Sequence, residues 1–175
     1  MERAGHPQMS LLDHYRLVSR VHPQVESVTN VAWSIPNVPS FETWLVEHDS
    51  LMPLGYPAYD FMVYLRHHGF PSPLLDWSRS LYVAAYFAFR HASSSGRVAI
   101  HAYVERPDGM KGYSSGQPCI WGLGPYVRTH RRHFLQQSEY TICLLRDGTW
   151  LYASHEEAFG RNDPQQDLLW KFTLP

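Results

Sequence analysis

Two stretches of the sequence, residues 67–80 and 131–141, concentrate the side chains that could do chemistry. Arginine forks bind phosphate oxygens bidentately, and a carboxylate stabilises positive charge that develops on a substrate. Imidazoles can act as acid and base near neutral pH. The candidate site residues are His67, Asp76, Trp77, Ser78, Arg131, Arg132, His133, Gln137 and Glu139.

The first stretch lies at a predicted corner of the chain. Gly69 is placed to end a helix, and Pro71 and Pro73 hold the residues before them in extended conformation. From Ser80 the run LYVAAYFAF predicts an apolar, buried helix. Asp76 and Ser78 are therefore expected at the mouth of that helix, where each side chain could cap the helix or bind a ligand.

The second stretch combines a basic segment with a strand entrance. Residues 126–137 carry arginines and histidines that predict a phosphate-binding patch or, equally, a solvated helix face. Alternating apolar residues predict a strand over 139–145, with Gln137 and Glu139 where it begins. Glu139 could serve in catalysis, or it could be an exposed charge that protects an edge strand from pairing.

The remaining patterns place helices mainly in the first half and strands mainly in the second. Prolines interrupt any long helix in residues 1–39, and helices are predicted to begin at Ser40 and near Pro57. Strands are predicted at 97–105, on both sides of an Asp147–Gly148 turn, and from Leu168, while 106–124 is a loop. The fold class is α+β with an antiparallel or mixed sheet, in a single domain spanning 1–175.

Composition narrows the function classes. Fifteen basic and sixteen acidic residues leave a formal net charge of −1, so no overall field attracts nucleic acid or membrane. Two cysteines without close spacing indicate reduced thiols, and neither a signal peptide nor a run of about 18 apolar residues is present. We expect a soluble cytoplasmic protein with no membrane partner.

Two longer segments resemble the FRG domain family. HHGFPSPLLDWSRSLYVAAYFA, beginning at His67, is similar to the family signature Q-H-x-G-x-P-T-R-L-L-D-W-[ST]-x-[ST]-P-x-x-A-x-x-F-A, and HRRHFLQQSEYT, beginning at His130, resembles its downstream R-x-x-x-Q-x-[GS]-x-[FY]-T segment. The (F/Y)-R-G tripeptide with which the family opens does not occur here. The resemblance implies a bacterial or phage protein with a role as a toxin or in phage defence.

The triplets Ser78-Arg79-Ser80 and Gln137-Ser138-Glu139, with an N-terminal arginine, are similar to the R-S-E layout of ADP-ribosyltransferases. This similarity implies an ADP-ribosyltransferase-like fold and NAD as a substrate. Glu139 would then stabilise the oxocarbenium ion, Gln137 would orient a nucleic-acid or protein acceptor, and Ser78 would brace the nicotinamide. The remaining candidates are His67, Asp76, Trp77, Arg131, Arg132 and His133, which would bind the nucleotide.

Two other classes of function stay open. A non-catalytic module could bind a nucleotide or peptide, and His67 with His133 could form the acid and base of a metal-free RNase or other hydrolase. A metal site is not expected, because the histidine spacing matches no standard ligand pattern. An enzyme of the transferase class needs Glu139, Ser78 and an arginine in one cleft, whereas the hydrolase needs its two histidines within reach of each other.

Overall fold

The computed structural model describes residues 9–48, 55–90, 96–107, 109, 111–112, 114–124, 131–161 and 167–175, with the backbone alone at Arg131 and Arg132. The helices within these residues are α1 (Leu11–Thr29), α2 (Val38–Glu47), α3 (Tyr59–His67), α4 (Leu81–Phe89), α5 (Arg131–Leu135) and α6 (His155–Gly160). The strands are β1 (Leu74–Ser78), β2 (Val98–Glu105), β3 (Cys119–Gly122), β4 (Ser138–Asp147), β5 (Thr149–Tyr152) and β6 (Asp167–Leu174).

The strands form two antiparallel sheets. In the first sheet the order is β1-β4-β3, and β5 also pairs with β4. In the second sheet β2 pairs with β6 along its whole length, from Val98 opposite Leu174 to Glu105 opposite Asp167. The predicted α+β class, with helices concentrated early and strands late, is confirmed.

The main core lies between the first three helices and one face of the first sheet. Buried Leu11, Phe41, Met62 and other apolar side chains of the helices pack against Ile142 and Leu144 of β4. The ring of Tyr15 stacks on Phe41 with 3.8 Å between centroids, which fixes α1 against α2. The second sheet and α6 lie on the opposite face of the first sheet.

The long helix α1 contradicts the expectation that prolines break the first 39 residues. Pro23 lies inside α1, where a proline costs about 3 kcal/mol because it removes a hydrogen bond and crowds the preceding turn. Burial on both sides of it offsets this cost, since Val18 is fully buried and Val25 packs against the same cluster. Ser10 caps the helix by accepting a hydrogen bond from the amide of Asp13.

Several element boundaries also differ from expectation. LLDWS, predicted as part of a corner, is strand β1, and the predicted loop over 106–124 contains strand β3. Helix α2 begins before Ser40 because Asn37 accepts a hydrogen bond from the Ser40 amide and Pro39 lies in the first turn. The Asp147–Gly148 turn is confirmed, with Gly148 at a φ of +66° between β4 and β5.

Helix α4 corrects a further prediction. It begins after Ser80 as expected, and the Ser80 side chain accepts a hydrogen bond from the Val83 amide. The helix is not buried, however, because none of its residues is fully covered and Tyr82 is 87% exposed. It lies against β1 and β2 at one side of the space between the two sheets. Of the helices in the described residues, none is both long and apolar enough to cross a membrane.

Candidate functional site

The pairing of β1 with β4 brings the two candidate stretches together. Trp77 lies opposite Glu139, and Ser78 lies opposite Ser138. Because directly opposed residues share a face, Trp77 and Glu139 both point toward the second sheet. They line a cleft of about 400 Å³, called the small cleft below, that reaches the second sheet and α4.

Glu139 lies on the central strand of the first sheet. The alternative of an exposed charge on an edge strand is therefore wrong, because β4 is paired on both sides and the Glu139 side chain is only 27% exposed. Its Oε1 atom forms an ion pair with Nε of Arg79. Arg79 also lines the small cleft, and its side chain is 66% exposed, so this guanidinium can turn toward a ligand.

Sequence reasoning missed Arg79 as a site residue. Its signal was its position between the serines of the Ser78-Arg79-Ser80 triplet, directly after a strand that contains another candidate. Its backbone amide donates a hydrogen bond to the Gln137 carbonyl, which fixes the start of β4 beside the end of β1. An arginine, Ser78 and Glu139 thus line one cleft, although the arginine is not one that the sequence indicated.

Trp77 forms an aromatic wall of the small cleft. Its indole stacks on the ring of Tyr103 from β2, with 5.0 Å between centroids and 29° between planes. Its Nε1–H donates to Oγ1 of Thr141 at 2.9 Å, and the same oxygen lies 2.9 Å from Nε2 of His155. Burial lowers the pKa of His155 to about 4, so at neutral pH this imidazole is uncharged and its Nε2 can accept the hydroxyl proton of Thr141.

Tyr103 is held by buried charges at the far end of the second sheet. Its hydroxyl donates to Oδ1 of Asp167 at 2.6 Å, and Nζ of Lys111 donates to the same oxygen at 2.8 Å. The Lys111 side chain is only 2% exposed and that of Asp167 only 8% exposed. Glu105 adds a second carboxylate 3.7 Å from the ammonium. Burying such charges is costly, and here the pairing also fixes an aromatic ring of the cleft.

The hydroxyl of Ser78 supports the chain between β1 and α4. It donates to the Gln136 carbonyl at 2.7 Å and accepts from the Ser80 amide at 3.1 Å. Asp76 points to the other face of the sheet, where Oδ1 pairs with Nε of Arg66 at 2.5 Å. Ser80, and neither Asp76 nor Ser78, is thus the residue that caps α4.

A second cleft, of about 980 Å³, lies beside the first and is called the large cleft below. His67 and Asp76 open onto it from the side of α3, and Ser154, His155 and Glu156 line it at the start of α6. Trp77 and Ser78 line both clefts. All four candidates of the first stretch therefore face one of the two clefts.

The two candidate histidines meet at a shared tyrosine. Nε2 of His67 lies 2.9 Å from the Tyr140 hydroxyl, and Nδ1 of His133 lies 3.4 Å from the same oxygen. Burial lowers the pKa of His67, while the carboxylate of Asp76 opposes that shift. The ring of His133 stacks on Tyr140, and His133 is only 2% exposed, so it cannot meet a substrate directly.

Within the basic segment the structure describes the side chain of one basic candidate, His133. His133 is buried, and helix α5 contains Arg131 and Arg132, whose side chains lie outside the described residues. Gln137 is exposed, has a left-handed φ of 47° and is absent from the lining of both clefts. Among the described residues, no three His, Cys, Asp or Glu side chains are grouped as metal ligands.

Comparison with protein families identifies the class to which this architecture belongs. The family model of the FRG domain matches residues 12–97, from the first turn of α1 to the residue before β2, and so includes β1 and α4. The protein is therefore an FRG domain-containing protein. The segment from His130 to Thr141, which carries Glu139, lies beyond the match. Searches of curated proteins and of solved structures found no significant similarity.

Proposed function

We propose that the small cleft binds NAD and that the protein transfers the ADP-ribosyl group of NAD to an acceptor, with Glu139 as the catalytic carboxylate. The observation that carries this proposal is the shared lining of the cleft by Glu139, Arg79 and the stacked pair of Trp77 and Tyr103. These are the three kinds of group that a nucleotide requires: a carboxylate for the ribose, a cation for phosphate and a flat apolar surface for a base.

The ion pair of Arg79 and Glu139 suits a site that is filled by an anion. Without a ligand each charge neutralises the other. A pyrophosphate group offers the guanidinium two oxygens in fork geometry, so Arg79 exchanges a carboxylate for a phosphate partner. This exchange leaves Glu139 negatively charged beside the ribose when the nucleotide is bound.

Glu139 would act on the bond between nicotinamide and ribose. When the bond from C1′ to the ring nitrogen breaks, its electron pair stays with the nitrogen and neutral nicotinamide leaves. The ribose acquires oxocarbenium character, which a nearby carboxylate stabilises. The acceptor then forms a bond from its oxygen or nitrogen to C1′ and releases its proton to solvent. Gln137, exposed just before β4, would meet an acceptor arriving from solvent.

The contacts of the other candidate residues indicate their roles. Ser78 would hold the segment before α4 in place rather than touch nicotinamide, since its hydroxyl is engaged with two backbone groups. Asp76 and His67 face the large cleft. In the toxin or defence context expected of the family, the acceptor would be a nucleic acid or a protein of the bacterial cytoplasm.

A metal-free hydrolase is the second candidate, and the link of His67 to His133 through Tyr140 favours it. Burial raises the pKa of Tyr140 to about 12, so this phenol stays protonated. Its hydroxyl can donate a hydrogen bond to one imidazole and accept one from the other. Only His67 opens onto a cleft, however, which leaves one group to act as both acid and base. The Glu139 site therefore has the stronger support.

Calorimetric titration with NAD tests the binding step, and release of nicotinamide tests the chemical step. We expect saturable binding, weakened at least fivefold by Arg79→Ala, and nicotinamide release by the unmodified protein. Arg161→Ala, which removes an exposed arginine outside both clefts, serves as the matched control. Binding without release would leave a non-catalytic nucleotide-binding module. Absence of both would overturn the proposal and direct the next assays to RNA cleavage.

A further inference from the structure

The small and large clefts share lining residues, and the place where they adjoin is called the waist below. The residues that line both clefts come from β1, α4 and β2, and they are Trp77, Ser78, Ala84, Ile100 and His101. Ala84 is the smallest of these side chains and comes from the helix, so α4 approaches the strands there without filling the waist. A ligand can therefore extend from one cleft into the other.

The two clefts differ in their cationic side chains. Arg79 lines the small cleft together with the carboxylates of Glu105 and Glu139, whereas the described residues of the large cleft include neither lysine nor arginine. The large cleft has the carboxylate of Glu156, the carboxylate of Asp76 that is paired with Arg66, and apolar Phe159 and Leu169. This lining disfavours phosphate and favours a flat, neutral group that can donate hydrogen bonds.

The volume of the small cleft also indicates that a dinucleotide would occupy both clefts. Pockets for drug-sized ligands span roughly 300–1,000 Å³, so the small cleft of about 400 Å³ lies near the lower limit. A dinucleotide consists of two base–ribose units joined by a pyrophosphate and is much longer than one unit. One half can occupy the small cleft, while the other half must continue through the waist.

We propose that the large cleft binds the adenosine half of a dinucleotide, with the pyrophosphate at the waist beside Arg79. This inference rests on the proposed function, which places the nicotinamide half with Glu139. Phe159 provides an apolar surface for adenine, and the carboxylate of Glu156 accepts a hydrogen bond from its exocyclic amino group. The protein then distinguishes a dinucleotide from a mononucleotide, and adenine from bases that lack this donor.

The first test blocks the large cleft alone. Ala88 lines the large cleft but not the small one, and Ala85, on the same helix, lines neither. We expect Ala88→Trp to weaken calorimetric binding of NAD and ADP-ribose at least tenfold and binding of nicotinamide mononucleotide less than twofold. Ala85→Trp should leave all three affinities within twofold. Equal affinities of the Ala88 variant and the unmodified protein for NAD would overturn the proposal.

The second test needs no bulky substitution and uses the unmodified protein. Nicotinamide hypoxanthine dinucleotide replaces the amino group of adenine with a carbonyl oxygen, so it should bind at least fivefold more weakly than NAD. Glu156→Ala should reduce that difference to less than twofold, because it removes an acceptor for the amino group. Equal affinities for the two dinucleotides in the unmodified protein would contradict an adenine subsite.

The two proposals fail in different ways. If Ala88→Trp weakens ADP-ribose binding but no nicotinamide is released from NAD, the adenosine subsite stands and the transferase function falls. If nicotinamide is released and depends on Glu139, but Ala88→Trp changes no affinity, the function stands and the subsite falls. Failure of both NAD and ADP-ribose to bind would overturn both.

Discussion

The indole of Trp77 stacks on the phenol ring of Tyr103, with 5.0 Å between their centroids, and this contact joins the two sheets of the protein. Trp77 belongs to β1 of the first sheet, and Tyr103 belongs to β2 of the second. The same two rings line the small cleft next to Glu139. One aromatic pair therefore contributes to stability and also shapes the candidate site.

The hydroxyl and the ring of Tyr103 should have separable effects. Tyr103→Phe removes the hydrogen bond to Asp167 and should lower the free energy of unfolding by about 1 kcal/mol while NAD affinity stays within twofold. Tyr103→Ala also removes the stacked ring and should cost about 3 kcal/mol and weaken NAD binding roughly tenfold. Urea denaturation and calorimetry measure the two effects. Equal losses of affinity in both variants would show that the ring is not the binding element.

The buried pair of Lys111 and Asp167 should show strong energetic coupling. Lys111→Met removes the cation beside Asp167 and leaves Glu105 with Arg106 at 3.8 Å, so it should cost about 3–5 kcal/mol. Asp167→Asn keeps an acceptor for Tyr103 and leaves Lys111 beside Glu105, so it should cost less. The double variant should be more stable than the sum of the single effects predicts, by about 1–3 kcal/mol. Additive losses in urea denaturation would mean that the pair contributes no coupling.

Acid should destabilise the protein partly through His155. Its pKa is about 4 in the folded protein and about 6.5 in the unfolded chain, so the unfolded state binds more protons between these values. Stability from the neutral imidazole is complete above pH 6.5 and is lost as pH falls toward 4. Between pH 7 and pH 4 the unmodified protein should lose roughly 3 kcal/mol more than His155→Gln. Parallel stability curves for the two proteins would contradict this assignment.

The sequence predicted best where local signals agree with tertiary packing. Gly69 ends α3 with a φ of +81°, Ser80 caps α4, and the Asp147–Gly148 turn joins two strands. Each of these features depends on the conformation of a few neighbouring residues. The antiparallel pairing of β1 with β4 is different, because it joins residues about sixty positions apart.

The features that sequence patterns missed depend on distant contacts. Pro23 is tolerated in α1 because Val18 and Val25 on either side of it pack with α3. Helix α4 is apolar throughout, yet it is exposed. The sequence predicted a buried helix because it has no polar face from which partial coverage could be inferred. Arg79 lies at the site because β1 pairs with β4 and brings it next to Glu139. Gln137 and the two arginines of α5 stay predictions for roles at the site.

The rate of nicotinamide release in Glu139→Gln is the most direct test of the transferase account. Glutamine keeps the size of the side chain and removes its charge, so NAD binding should persist while release falls at least a hundredfold. Glu47→Gln removes an exposed carboxylate at the end of α2, outside both clefts, and should release nicotinamide at the unmodified rate. Release by Glu139→Gln at the rate of the unmodified protein would contradict a catalytic role for Glu139.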